Sequence, residues 1–121
     1  MSESQPLSPP TPDDPEDRKI ITLARASRAR AGTAQGACVR DGDGRTYAAT
    51  NVALESLTLS AIQLAVAMAV SSSAPGLEAV ALVADDDPTA PELALVREVA
   101  SRPVVVWLVG SDGAVRDRVE A

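Results

Sequence analysis

At 121 residues the chain has room for one domain, and a hydrophobic content of 45% is enough for one core. A net charge of −6 and a pI near 4.5 exclude a general nucleic-acid binder. The core has no Phe, one Trp and one Tyr to draw on, so it must be built from Ala, Val and Leu. Small side chains let helices and sheet approach closely, but each buries little area. A lone subunit is therefore expected to be modestly stable, and a homo-oligomer, dimer or tetramer, is expected.

Residues 1–15 hold five of the nine prolines together with Ser and acidic residues. Such a segment cannot bury enough apolar surface to offset its ordering entropy, and it is expected to be a disordered tail before a single domain over 16–121. It lacks the apolar core and basic start of a signal peptide. Residues 16–31 read as a helix: Pro15 stands at its start, Glu16 and Asp17 lie in its first turn, Ile20, Leu23, Ala24 and Ser27 repeat at helical spacing, and Gly32 ends it. Arg18, Lys19, Arg25, Arg28, Arg30, Arg40 and Arg45 are seven of the eleven basic residues, preceded by Glu3, Asp13, Asp14, Glu16 and Asp17. The expected role of this run is a solvated helix face beside an acidic tail.

Residues 33–40 and 45–51 read as two strands joined by Asp41-Gly42-Asp43-Gly44, whose residues tolerate the positive φ of a tight hairpin. A second helix is expected over about 56–72, capped by Ser56 or Thr58. Its run Leu57–Val70 is too short to span a bilayer. Ala74-Pro75-Gly76 breaks the chain before a doubly buried strand at 77–84. The acidic turn Asp85–Asp87 and Pro88 lead to a third helix over about 91–101, then strands at 104–109 and 114–119. The order α-β-β-α-β-α-β-β implies an α/β fold of three α-β-α layers, with a mixed sheet of about five strands.

The hairpin, the turn Asn51-Val52, the following helix, the strand end Val83-Ala84-Asp85, Pro88 and the order of elements together resemble the cytidine deaminase-like family of zinc-dependent nucleoside deaminases. The likeness covers about residues 16–116. It implies a zinc ion that activates water and a carboxylate that shuttles the proton, from a His or Cys, one residue, then Glu at the second helix, with Pro-Cys-x-x-Cys opening the third. On this chain those positions fall on Ser60, Ile62, Thr89 and Glu92, with Pro88 retained. All three ligands and the acid are replaced. A neutral hydroxyl is a poor zinc ligand, Ile62 cannot carry a proton, and the chain has no His. The resemblance further implies an Asn-Val-Glu-Asn turn gripping ribose hydroxyls. Here it reads Asn51-Val52-Ala53-Leu54, and Thr33 stands in the region of an expected aromatic.

No metal, cofactor or catalytic residue is therefore expected. Asn51 is the one ligand-binding candidate, set against a strand-end Asn that satisfies turn backbone. Cys38 is expected to be a small buried residue, Trp107 to pack in the core or at a subunit contact, and Asp85–Asp87 to form a solvated turn. The leading expectation is a catalytically inactive deaminase-like protein with a binding or structural role, cytoplasmic, with a protein partner and no membrane or general nucleic-acid binding. The alternative is a nucleoside- or nucleotide-binding module using Asn51 and the basic residues around Arg40 and Arg45. An active cytidine deaminase is the least supported. The apolar circumference of Leu57–Val70 points to subunit contact there, with Leu64→Glu as the disrupting change.

Overall fold

The first helix forms where the local signals place it. In the computed structural model, which describes residues 10–121, α1 runs Pro15–Ala31. The Asp14 carboxylate accepts from the Glu16 N–H at 2.8 Å, and Gly32, in the left-handed region at φ 67°, returns its N–H to the Arg28 carbonyl. Residues 1–9 of the expected tail lie outside the described residues. Pro12 is buried, and Arg18 donates to the Pro12 and Asp13 carbonyls.

The strands are β1 (Gly36–Asp41), β2 (Thr46–Thr50), β3 (Val52–Ala53), β4 (Thr58–Leu59), β5 (Leu77–Val83), β6 (Val105–Val109) and β7 (Val115–Glu120), and the remaining helices are α2 (Ala61–Ser71) and α3 (Ala90–Val99). The main sheet has the order β2-β1-β5-β6-β7. It is mixed: β5 and β6 are parallel across the α3 crossover, and the other neighbours are antiparallel. The expected three-layer α/β fold with five main strands is what forms.

Side-chain alternation divides the sheet into two faces. Cys38, Ala79, Ala81, Val83, Trp107 and Val109 meet α1 residues Ile20, Ile21 and Ala24. Ala37, Val39, Val80, Leu82, Val106 and Leu108 meet α2 and α3 through Ile62, Ala65, Val66 and Val96. Gly36 is required where α1 crosses β1, because a Cβ there would run into the Ala24 carbonyl and Arg28.

Two expectations change. The second helix begins at Ala61, not near 56, because Val52–Ala53 and Thr58–Leu59 pair as a small ribbon closed by Leu54 N–H on the Leu57 carbonyl at 2.9 Å. Its cap is Ser60 rather than Ser56 or Thr58. Nor are all the charges around α1 solvated. Asp17 and Arg40 are buried and paired at 2.9 Å, and the Trp107 indole N–H donates to the second Asp17 oxygen at 3.1 Å. Trp107 is 2% exposed and sits inside the fold, with the Arg118 guanidinium 5.6 Å from its ring centre.

The hairpin is fixed by one carboxylate. Asp41 accepts from the Asp43 and Arg45 amides and from the Tyr47 hydroxyl, each at 2.9 Å. Burial opposes its ionisation, but these three donors outweigh that, so the carboxyl titrates below its usual range. A depressed carboxyl contributes stability that is present above the unfolded-state value and lost as pH falls through the folded-state value. Asp41→Asn should therefore lose less melting temperature than the parent between about pH 6 and about pH 3. Parallel melts at the two pH values check this, and equal losses would contradict it.

Candidate functional site

The starts of α2 and α3 are where the sequence directs attention, and each is closed by a reciprocal capping box. The Ser60 hydroxyl accepts from the Gln63 N–H at 3.1 Å, while the Gln63 side-chain oxygen accepts from the Ser60 N–H at 2.9 Å. At α3 the Thr89 hydroxyl accepts from the Glu92 N–H at 3.2 Å, and the Glu92 carboxylate accepts from the Thr89 N–H at 2.7 Å. Ser-x-x-Gln and Thr-x-x-Glu are the spacings such boxes need. A third acceptor completes α2: the Gln35 side-chain oxygen takes the Ala61 N–H at 3.0 Å. Gln35 is itself held by its own N–H on the Asn51 side-chain oxygen at 2.9 Å.

Ser60, Thr89 and Glu92 thus each have a backbone partner, and the two helices that carry them pack together. Ile62 is fully buried in the core beneath α2. Cys38 lies on the opposite, α1-facing side of the sheet, and burial pushes its thiol up to about 11. It cannot join the helix starts or ionise near neutral pH. Among the described residues no three His, Cys, Asp or Glu side chains gather where they could hold a metal ion. The donor set does not fit zinc: two hydroxyls, one capping carboxylate and an isoleucine offer neither thiolate nor imidazole.

Beside these helix starts lies a cleft of about 420 Å³ lined by Arg28, Ala34, Gln35, Asn51, Ala84, Asp85 and Asp86. It opens at the carboxyl end of β5, where open α/β sheets commonly take ligands. Asn51 is in it; Ser60, Ile62, Thr89 and Glu92 are not. Arg40 is committed to Asp17 on the α1 face and does not reach it. Asp85 accepts from the Ser111 N–H at 3.2 Å, and the Ser111 hydroxyl and amide hold its carboxyl below the usual range. Asp87 pairs with Arg116, which also donates to the Asp86 carbonyl, so the three acids belong to a bridged turn. Arg28, Gln35 and Gln63 carry roles that the sequence reading passed over. The capping-box spacing is the signal that finds Gln63, and no local signal finds Arg28 or Gln35.

The family model described as cytidine deaminase-like matches residues 13–113. The chain belongs to that family. Its fold is similar to the cytidine deaminase of Burkholderia pseudomallei, with a TM-score of 0.73 and 21% identity over 84% of this chain and 90% of that one. The cytidine deaminase of Mycobacterium tuberculosis gives a TM-score of 0.64 and 22% identity over 86% and 91%. That of Mycobacterium leprae gives 0.61 and 18% over 82% and 90%. No curated protein matches the chain. These likenesses establish the fold of this cytidine deaminase-like protein; the site must be argued from its own residues.

Removing the hydroxyl of either box should cost about 1 kcal/mol, in Ser60→Ala or Thr89→Ala. Chemical denaturation measures both. Variants as stable as the parent would show that the boxes contribute nothing.

Proposed function

We propose that this cytidine deaminase-like protein is a non-catalytic member with a binding or structural role. One observation carries the reading: both helix starts are closed by capping boxes, with Ile62 packed in the core between backbone and sheet. Deamination requires an activated water and a group that accepts and returns a proton beside it. Ser60 and Thr89 have hydroxyls engaged with backbone amides, Glu92 is turned onto its own helix start, and Ile62 has nothing to titrate. The chain is proposed to need no metal or cofactor, to work in the cytoplasm as one domain over 16–121, and to act through protein contacts. Among the described residues no helix is long and apolar enough to cross a membrane.

The test is incubation with cytidine and deoxycytidine alongside metal analysis of protein purified without chelator. No uridine product and no stoichiometric zinc are expected. Sustained product formation, or near one zinc per chain, would overturn the proposal.

The cleft favours a second reading, a module that binds a nucleoside or nucleotide without turning it over. Asn51 and Gln35 present amides there, Arg28 a guanidinium, and Asp85 and Asp86 carboxylates suited to hydroxyl donors. Titration calorimetry with cytidine and its monophosphate tests it. Heat that disappears in Asn51→Ala supports it, and no heat at millimolar ligand sinks it.

A further inference from the structure

The two edges of the main sheet are unlike. β7 carries Arg116, Asp117, Arg118 and Glu120, the kind of charge that blocks strand addition. The other edge, β2, reads Thr-Tyr-Ala-Ala-Thr, with no charge and no proline. Asp41 N–H bonds the Arg45 carbonyl, and alternation from that pair makes Val39 with Tyr47 and Ala37 with Ala49 the mutually bonded pairs. Thr46, Ala48 and Thr50 therefore aim their backbone N–H and C=O groups away from the sheet. Along this edge runs a groove of about 290 Å³ lined by Ser27, Arg30, Leu64 and Met68 among others, and Met68 is 37% exposed.

We propose that β2 pairs antiparallel with β2 of a second copy, about a two-fold axis through Ala48, to join two five-stranded sheets into one. The proposal rests on the reading of this protein as one that acts through contacts. Three features point to a copy of the chain rather than a foreign strand. The register is self-complementary: Ala48 faces Ala48, Thr46 faces Thr50, and no like charges meet.

The helices also match across the axis. α2 lies over β1 and β2, so its copy would stand about two strand spacings away, roughly 10 Å, which is the distance at which helices pack. α2 starts beside Gln35 and Asn51, and Leu64 and Met68, one helical turn apart, line the groove together with Ala48, Ala49 and Thr50. Leu64 of one copy then meets Met68 of the other.

Charge complements on the opposite face. The basic end of α1 lies over Thr50, where Arg30 shares the groove, and its acidic start lies over the Thr46 end, fixed there by the Asp17–Arg40 pair. The two-fold sets Arg30 of each copy against the Glu16 end of the other, and Glu16 and Arg30 share a helix side fourteen residues apart.

Light scattering at tens of micromolar is the test. The parent should weigh twice the 12.5 kDa chain mass. Ala48→Pro removes only an outward N–H, so it should leave the fold intact by circular dichroism and give the single-chain mass. Leu64→Glu and Met68→Glu should do the same. Arg30→Glu should weaken assembly about tenfold through its two symmetric copies, and adding Glu16→Arg should restore it. In a Cys38→Ala background, which removes the thiol paired directly across from position 48 on β1, Ala48→Cys should cross-link to a copy under mild oxidation, a readout that holds if a groove variant misfolds. A parent of single-chain mass overturns both self-assembly and this interface. A dimer untouched by Ala48→Pro and without the Ala48→Cys cross-link overturns the interface alone.

Discussion

Asp17→Ala should destabilise the fold by about 3–5 kcal/mol, much of what a domain of this size has to lose. The substitution leaves the Arg40 guanidinium buried, with Glu78 at 3.6 Å as its remaining carboxylate, and strips the acceptor from the Trp107 indole. A buried charge without its partner costs far more than the pair itself contributes. Urea denaturation of parent and variant measures the difference. The control is Asp17→Asn, which keeps an acceptor and the shape but removes the charge; it should fall between the two. A loss below about 1 kcal/mol in Asp17→Ala would place the pair among surface-like ion pairs and refute the assignment.

Ile62→Glu should fail to fold to a native state at neutral pH. This change puts a carboxylate back at the position the family resemblance assigns to the proton shuttle, but the position is a closed, fully buried core site. The side chains packed around it in that cluster are aliphatic, and the buried Arg40 is already paired with Asp17 on the other face of the sheet, so the carboxyl must either remain protonated or carry an unpaired charge out of water. Ile62→Ala isolates the packing share and should cost about 2–5 kcal/mol. A folded, soluble Ile62→Glu protein with a near-parental melting temperature would show that the helix start is an open cleft, and would revive the catalytic reading.

Much of the fold was legible because its signals are local. Pro15, the acidic first turn and Gly32 mark α1 within a residue or two. Asp41-Gly42-Asp43-Gly44 marks the hairpin through Gly44 at positive φ and the short-range bonds of the Asp41 carboxylate. The doubly buried run at Leu77–Val83 and its parallel partner Val105–Val109 follow from continuous aliphatic sequence around a helix. The start of α2 was misplaced because an apolar run cannot by itself distinguish a short ribbon from a first helical turn. The pairing of Thr58–Leu59 with Val52–Ala53 decides that, and it lies outside the helix pattern.

The candidate site divides in the same way. The replacement of ligand and acid residues at Ser60, Ile62, Thr89 and Glu92 is a fact of sequence, and the two capping boxes are written there as three-residue spacings. Residue chemistry alone therefore determined that thiolate and imidazole are missing from both helix starts, since no rearrangement of the chain supplies them. Only the tertiary structure decided that Arg40, a surface candidate by its neighbours in sequence, is locked to Asp17 twenty-three residues away. It also set Trp107 on that same carboxylate from ninety residues away, and brought Arg28, Gln35, Asn51 and Asp85 to one cleft. Helix caps and turns depend on dihedral angles and donors a few residues apart, which sequence carries directly. Buried ion pairs and clefts depend on which faces the sheet order brings together, and the spacing of their residues along the chain does not encode that.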